Sequence, residues 1–249
     1  AAYSLGEERV QEKSQALLDT KKVELQSYLS SIEQDLRVMS ESEMIVSALK
    51  DFHAVWPSVG AGNQTEILHK AYIADNPNPT GQKDNLDRGA SGTAYDDLHA
   101  RRHPWLHKLL KERSYYDIFL IDLEGNVVYT VFKELDFASN LASGPYKDTD
   151  LGRVYREALG AARPGDLYFS DFRPYAPSND APASFIAAPV FDNGTKIVVM
   201  AFQMPMRMPC IVLHADWSMF QPLMRGWTTY CMMRLNAACR APTIVFHIP

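Results

Sequence analysis

The spacing of apolar residues near the start of the chain predicts one long helix over residues 5–39. Six of them follow one another at steps of 7, 4, 3, 4 and 3, which is a heptad seam: Leu18, Leu25, Leu29, Ile32, Leu36 and Met39. About 35 helical residues extend roughly 50 Å, which exceeds the width of a small domain. Two interpretations stay open: a helix lying along its own domain, and a rod that also pairs with a partner helix.

A second helix is predicted from Met44 to Val55, with Pro57 closing it. Residues 57–92 are rich in Gly, Pro, Asn and Asp and predict a long loop. Four apolar or aromatic residues are candidates to anchor that loop: Ile67, Leu68, Tyr72 and Ile73. Helical spacing returns at about residues 95–113, where Pro104 is expected to start or kink a helix.

The pattern then changes to short apolar runs separated by turn residues, which predicts strands. Five strands are expected, at residues 116–122, 127–132, 167–172, 184–190 and 196–203, with a short helix at 150–162 and a loop at 174–182. Short links favour antiparallel pairing. The fold class is therefore α+β: a five-stranded antiparallel sheet with the helices on one side of it.

Composition changes abruptly near residue 204. Residues 204–249 hold seven of the ten Met and all three Cys (Cys210, Cys231 and Cys239), but no Lys and no Glu. The chain is therefore divided into a helical segment at 1–55, a main module at 56–205 and an atypical segment at 206–249. The last segment is interpreted as a partial or unusual native module, or as the product of an altered reading frame.

Charge and motifs exclude several function classes. The 25 basic and 30 acidic residues give a net charge of -5, without the basic excess that duplex binding needs. No apolar run is long enough to span a bilayer, so we expect a soluble protein or the soluble piece of a larger one. A disulfide framework is excluded for the first 209 residues because they contain no Cys. No phosphate loop or nucleophile elbow occurs. We therefore expect no enzyme, no cofactor and no metal.

Three histidines offer the main alternative to that expectation. His99, His103 and His107 are spaced four residues apart, so an unbroken helix places them on one face. A metal site would use them with a carboxylate such as Asp96. Since Pro104 is expected to disturb the register, packing and solvation of the histidines is the preferred interpretation.

Aromatic residues around one acidic residue suggest a small-molecule pocket. Asp171 ends a predicted strand and has Tyr168 and Tyr175 nearby in sequence. The alternative is a core aromatic cluster in which Asp171 caps the next turn. Tyr146 and Lys147 lie in the loop before the short helix and are expected to cover the same site. Plain solvation is the alternative for the lysine.

Residues 72–205 resemble the periplasmic sensor domains of bacterial methyl-accepting chemotaxis proteins, a module that also occurs on sensor kinases and cyclases. The resemblance rests on short segments in the same order: 72–79, 99–105, 115–120, 124–126, 132–137, 171–172, 175–185, 188–190 and 201–205. It implies a Cache fold, which is a PAS-like module on a long N-terminal helix. It also implies the periplasmic part of a bacterial inner-membrane protein, with transmembrane helices outside this sequence, and a homodimer contact along the long helix.

The resemblance also implies where a ligand binds. In related amino-acid sensors a motif rich in Arg, Trp and Tyr holds the carboxylate, and an Asp on the last strand holds the ammonium. Here Tyr146 and Lys147 are the nearest matches to the first, and Gln203 stands where the Asp would be. We therefore expect a small carboxylate or a neutral ligand instead of an amino acid. The expected ligand-binding residues are Tyr146, Lys147, Tyr168, Asp171, Tyr175, Phe185 and Gln203. A structural dimerisation domain without a ligand remains the alternative function.

Overall fold

A computed structural model describes residues 2–204 of the chain. The described part contains five α-helices: α1 (Ala2–Ser40), α2 (Glu43–Val59), α3 (Gln64–His69), α4 (Ala94–Arg113) and α5 (Asp150–Gly160). It contains seven strands: β1 (Asp117–Asp122), β2 (Val127–Thr130), β3 (Tyr168–Phe169), β4 (Arg173–Tyr175), β5 (Ala181–Ala183), β6 (Phe185–Asp192) and β7 (Thr195–Gln203). The atypical segment 206–249 predicted from composition lies outside the described residues.

The predicted five-stranded sheet is confirmed. Its strand order is β2-β1-β7-β6-β3, and each neighbouring pair is antiparallel. The third strand is shorter than the sequence pattern indicates, since it comprises only Tyr168–Phe169. Residues 174–182, predicted to be a loop, instead contribute to a two-stranded ribbon of β4 and β5. The α+β fold class is therefore correct, with one additional ribbon.

Helices cover both faces of the sheet, so the expectation of helices on one side is wrong. Side chains such as Leu120 and Met200 pack on one face in a core cluster with α1, α2 and α4. Alternate side chains such as Phe119 and Ala201 pack on the other face against α5. Both faces of the central strands are apolar, as expected for a sheet buried between two layers.

The long helix α1 runs for 39 residues, as the heptad pattern predicts. Ile32 and Leu36 are buried in the main core, so the second half of α1 lies along the domain. The side chain of Leu25 lies outside the described residues. Leu17 and Val23 are more than half exposed on the same helix. Pairing of α1 with a partner helix remains a prediction, for which these exposed apolar side chains offer a surface.

Two prolines lie inside helices: Pro57 does not close its helix as predicted, whereas a helix on both sides of Pro104 agrees with the predicted helical spacing over 95–113. Pro57 lies within α2, and Pro104 lies within α4. A proline in a helix interior costs about 3 kcal/mol because it removes one hydrogen bond and crowds the preceding turn. Burial of large side chains on the same helices offsets that cost, as with Trp56 on α2 and Leu106 on α4.

The region predicted to be a long loop is partly helical. It contains α3, a π-helical turn at Lys70–Ala74 and a 3-10 turn at Lys83–Asn85. The proposed anchors Leu68 and Tyr72 are fully buried. The Tyr72 hydroxyl donates a 2.9 Å hydrogen bond to Asp96 at the start of α4. The segment is therefore held against the core by its own side chains.

Gly152, in the first turn of α5, lies against the loop that precedes the helix. A Cβ at this position would overlap the carbonyl oxygen of Lys147 and lie 2.9 Å from that of Tyr146. We expect Gly152→Ala to displace the loop and lower the free energy of unfolding by about 1–3 kcal/mol, measured by urea denaturation. Gly160 is the last residue of the same helix, and no atom lies within 4 Å of a Cβ placed there, so Gly160→Ala serves as the control. It should be neutral or slightly stabilising, so equal losses in both variants would contradict the prediction.

Candidate functional site

One end of the sheet carries polar side chains within an apolar face. Asp117, the first residue of β1, lies opposite Gln203, the last residue of β7. Gln203 also lies opposite Phe185, the first residue of β6. Because side chains alternate between the faces of a sheet, all three lie on the α5 face together with Phe119 and Ala201. A carboxylate and an amide are therefore buried side by side at the end of an apolar core.

One oxygen of Asp117 is fully used, and the other has no partner. Oδ1 accepts hydrogen bonds from the backbone N–H groups of Ile118 at 2.7 Å, Val131 at 2.8 Å and Phe132 at 3.0 Å. These bonds fix the chain where it leaves β2. Oδ2 is buried and has no hydrogen-bond partner. The carboxylate is therefore held in place with one acceptor atom left over.

A second carboxylate lies close to the first. Asp136, in the segment after β2, accepts a 2.6 Å hydrogen bond from the Tyr175 hydroxyl at Oδ2, and its Oδ1 has no partner. Burial raises the pKa of Asp136 to about 7. Burial, and then the charge of Asp136, raise the pKa of Asp117 well above its ordinary value. Two buried acids that repel each other favour protonation of the pair near neutral pH.

A chain of hydrogen bonds connects Gln203 to a third acid. The Gln203 Nε2 donates to Ser178 Oγ at 3.3 Å, and Ser178 Oγ donates to Glu134 at 2.6 Å. The Tyr116 hydroxyl donates to the other oxygen of Glu134 at 2.7 Å. Gln203 Oε1 is buried without a partner. We call Asp117, Glu134, Asp136 and Gln203 the acid cluster.

A buried lysine lies next to the acid cluster. Lys133 donates hydrogen bonds to the backbone carbonyls of Thr130 and Val131. Its Nζ lies 4.7 Å from the centre of the Tyr129 ring and 5.3 Å from that of Phe137. Burial lowers the pKa of Lys133 to about 7, although the charge of Asp117 opposes that shift. The positive charge of Lys133 therefore balances the negative charge of the acids only in part, because its hydrogen bonds go to backbone carbonyls and not to the carboxylates.

Three buried oxygens of the acid cluster lack hydrogen-bond donors: Asp117 Oδ2, Asp136 Oδ1 and Gln203 Oε1. A buried acceptor without a donor costs about 1–3 kcal/mol, and such atoms are rare in folded proteins. Three of them on neighbouring residues form a site that can accept hydrogen bonds from a guest. The proton that the two acids retain supplies one donor, so two of the three oxygens remain acceptors without a donor and suit a guest group that donates.

The structure brings four of the residues predicted from sequence to this site: Gln203 of the acid cluster, Tyr146, Tyr175 and Phe185. Tyr175 and Phe185 pack edge to face with their ring centres 4.9 Å apart, and Phe185 is the cross-strand neighbour of Gln203. Tyr146 is half-buried beside them, where burial and the charge of Asp136 raise its pKa. The two rings pack against each other, and the hollow predicted at this place remains a prediction.

The other predicted residues have different surroundings. Lys147 is exposed, and its backbone carbonyl accepts a hydrogen bond from Arg156. Tyr168 is half-buried on the α5 face of β3. Asp171 is buried, and its Oδ1 accepts a 2.8 Å hydrogen bond from the backbone N–H of Phe172, so one of its oxygens holds the local turn. A ligand-binding role remains a prediction for these three residues, as it does for Tyr146, Tyr175, Phe185 and Gln203.

Sequence reasoning did not identify the two acids at the centre of the cluster. Asp117 opens a run of apolar strand residues, and Asp136 stands between Leu135 and Phe137. An acidic residue at a position whose neighbours predict burial is the signal that was available. The proximity of the two acids depends on how the chain returns after β2, which local pattern does not specify.

The three histidines of α4 share one face, as their spacing predicts, and Pro104 does not disturb this register. The ring centres are 4.5 Å apart between His99 and His103 and 5.3 Å apart between His103 and His107. Burial lowers the pKa of His103 to about 2 and that of His99 well below its ordinary value. Asp96 accepts hydrogen bonds elsewhere, so the structure does not direct it to these histidines.

Comparison with known proteins gives similarity to solved structures alone. No protein-family model matches the chain, and no curated protein matches it. It is similar to the sensor domain of the histidine kinase DctB from V. cholerae, at 14% identity and a TM-score of 0.46, over 79% of this chain and 56% of that one.

It is also similar to the sensory domain of the Campylobacter jejuni chemoreceptor Tlp3 with isoleucine bound, at 15% identity and a TM-score of 0.30, over 73% of this chain and 62% of that one. A third similar structure is the ligand-binding domain of the Pseudomonas aeruginosa amino acid chemoreceptor PctC in complex with GABA. It shows 17% identity and a TM-score of 0.31, over 62% of this chain and 60% of that one.

These structures are sensor domains of chemoreceptors and a histidine kinase, the class that the sequence motifs resemble. The chain spans less than two thirds of the length of each. None of the helices in residues 2–204 combines the length and the apolar character needed to cross a bilayer.

Proposed function

We propose that this chain is the extracytoplasmic sensor module of a bacterial transmembrane receptor and that it binds a small molecule at the acid cluster. The observation that carries the proposal is the set of three buried oxygens without donors. In a domain that binds nothing, these unpaired oxygens only lower the stability. In a binding site, a ligand that supplies the donors offsets that loss of free energy. The sequence motifs favour a chemoreceptor, with a histidine kinase or cyclase as the alternative. The proposal includes no chemistry on the ligand.

The ligand is expected to be neutral or cationic and to carry hydrogen-bond donors. The expectation of a ligand without an amine rests on Gln203 alone, whose amide cannot balance an ammonium. Asp117 and Asp136 change that argument, because they place two carboxyl groups beside the amide. A small carboxylate is disfavoured at the same place, since burying its negative charge in a site of low polarity is costly.

Occupancy of the site is expected to reach α1 through packed aromatic rings. Phe202 precedes Gln203 on β7 and points to the opposite face, where it stacks on Tyr115 with ring centres 4.5 Å apart. The Tyr115 hydroxyl donates to Asp35 on α1, and Asp35 also pairs with Arg113 at 2.8 Å. A shift at the end of β7 would therefore act on the long helix.

A homodimer contact along α1 completes the proposed module. Helices in receptors of this kind transmit a signal when two states of the ligand site favour different helix positions. Leu17, Val23 and Val38 are exposed on α1 and supply apolar surface for a second copy of the helix.

The ligand can be sought by thermal denaturation of the full chain with amines, amides, polyols, amino acids and dicarboxylates. A ligand at 100 times its Kd adds about 2.7 kcal/mol of stability. For a chain of this size that corresponds to a rise in Tm of about 5–10 °C. We expect such a rise with a donor-rich compound and not with dicarboxylates.

Asp117→Asn tests whether the acid cluster is the binding site. The amide keeps an oxygen for the three backbone N–H groups but replaces the free acceptor with a donor, so the ligand-induced rise in Tm should disappear. Asp180→Asn is the control, because Asp180 is exposed in the turn between β4 and β5, and Asn accepts its positive φ of 57°. No rise with any compound favours the structural alternative, and an equal rise in both variants places the site elsewhere.

A further inference from the structure

A second group of polar side chains lies at the other end of β1, where α2 passes over the turn between β1 and β2. His53 of α2, Asp122 at the end of β1 and Glu124 in the turn each direct one ligand atom into the same space. These atoms all lie within 4.8 Å of one another. Asp122 ends β1 and Asp117 begins it, so this group is separate from the acid cluster.

The carboxylate of Asp122 is buried and held in a fixed orientation. Its two oxygens accept 2.8 Å hydrogen bonds from the backbone N–H and the side-chain amide of Asn126. Asn126 accepts a 2.9 Å hydrogen bond from Asn140 in turn. Each carboxylate oxygen has a second lone pair, so these bonds orient the group without exhausting it. Metal-binding carboxylates are commonly held by such neighbours.

His53 and Glu124 are exposed and have the freedom to complete a site. Among residues 2–204, no hydrogen bond to either side chain is observed, although His53 and Glu124 both act electrostatically on Asp122. Both line an open cavity of about 230 Å³ between α2 and the sheet. Lys50 also lines this cavity, but it pairs with Asp192. The cavity leaves room for water to fill the remaining coordination positions.

We propose that His53, Asp122 and Glu124 bind a divalent transition-metal cation of the zinc type. One imidazole and two carboxylates are a donor set that zinc accepts, whereas magnesium and calcium prefer oxygen alone. Bonds of about 2.0–2.2 Å place neighbouring ligand atoms about 3.4 Å apart in a tetrahedral site. The present separations are at most 4.8 Å, and the side chains of His53 and Glu124 are exposed, so they can rotate to bring the ligand atoms to that spacing. The bound cation joins α2 to the β1–β2 turn.

The test is a calorimetric titration of the full chain with zinc at pH 7.5. We expect the parent chain to bind one more zinc ion than His53→Ala binds, and Glu124→Gln to weaken that site by at least tenfold. Glu112→Gln makes the same change at an exposed position of α4 and should bind like the parent. Circular dichroism confirms that each variant is folded.

Cobalt distinguishes this site from the thiols of Cys210, Cys231 and Cys239. A cobalt complex of imidazole and carboxylate absorbs in the visible range without the strong near-ultraviolet band of thiolate bonds, and that spectrum should disappear in His53→Ala. Equal zinc stoichiometry and affinity in the parent and His53→Ala, or no binding at millimolar zinc, would overturn the proposal. Asp117→Asn should leave zinc binding unchanged, so this site and the acid cluster succeed or fail separately.

Discussion

Asp136→Asn should stabilise the ligand-free chain, and the gain should grow as the pH rises from about 4 to about 7. The pKa of Asp136 is about 7 in the folded chain, against about 3.9 for an unfolded aspartate. Between these values the folded chain holds a proton that the unfolded chain has released. The contribution of Asp136 to stability is therefore complete below pH 4 and is lost as the pH approaches 7. The three-unit difference corresponds to a gain on the order of 4 kcal/mol above pH 7.

The variant keeps the local packing while it removes the titration. An amide oxygen can still accept the hydrogen bond from the Tyr175 hydroxyl, and the amide is neutral at every pH. Urea denaturation at pH 4.5, 6 and 7.5 measures the difference from the parent chain. Asp180→Asn makes the same chemical change at an exposed position and provides the control. A constant difference for Asp136→Asn would contradict the prediction.

The same variant should lose affinity for a donor-rich ligand. The gain in stability and the loss of binding both come from replacing the buried carboxyl group, which is costly to ionise in the empty chain and offers a ligand its free oxygen. Residues that bind ligands commonly reduce the stability of the protein that carries them. A variant that is more stable and still binds with the parent's affinity would separate Asp136 from the site.

The elements of the fold follow from local pattern where one signal dominates. The run Ile118 to Ile121 is apolar on both faces of the sheet, so it predicts a buried strand without knowledge of its neighbours. The heptad of α1 predicts a helix in the same way. Pro104 is expected to disturb the helical register, but it does not, because the packing of α4 outweighs the local cost of the proline. Coverage of both faces of the sheet by helices is not predicted, because the position of α5 is set by tertiary contacts that no short sequence window contains.

The site is less accessible to sequence reasoning than the fold. Gln203 and Phe185 are separated by 18 positions, yet they face each other because β6 and β7 form a hairpin that the turn residues predict. Asp117 and Asp136 come together through the irregular chain after β2, where Lys133 adopts a positive φ of 63°. A left-handed residue that is not glycine is rare and leaves no clear signal in one sequence.

The buried acids and the buried histidines have pKa values shifted in opposite directions. Burial raises the pKa values of Asp117 and Asp136 and lowers those of His99 and His103. Between about pH 4 and 6.5 the acids make the chain less stable as the pH rises, and the histidines make it more stable. The two contributions oppose each other, so the stability of the parent chain changes less with pH than either group alone dictates. Single variants are needed to reveal each part.

His103→Gln should make the chain less sensitive to acid. Burial keeps the His103 ring neutral. Since a backbone carbonyl can only accept, Nε2 donates to that of Asp84 at 2.7 Å, and Nδ1 then accepts from the Tyr129 hydroxyl at 2.7 Å. The His103 pKa of about 2 lies below the 6.5 of an unfolded histidine. The unfolded chain therefore binds a proton first as the pH falls, and the stability that His103 contributes above pH 6.5 is lost progressively towards pH 2.

The effect is large enough to isolate from the opposing acids. From pH 7.5 to 4.5 the His103 contribution falls by about 2.7 kcal/mol, so the parent should lose that much more stability than His103→Gln over this range. Glutamine has one amide donor and one acceptor, which preserves both hydrogen bonds, although the loss of ring stacking with His99 and His107 lowers the stability at pH 7.5 by about 1 kcal/mol. His53→Gln is the matched control, since it makes the same change at an exposed position of α2. Parallel profiles of stability against pH for the parent and His103→Gln would mean that the His103 ring accepts a proton in the folded chain. The description of His103 as a buried neutral imidazole would then be wrong.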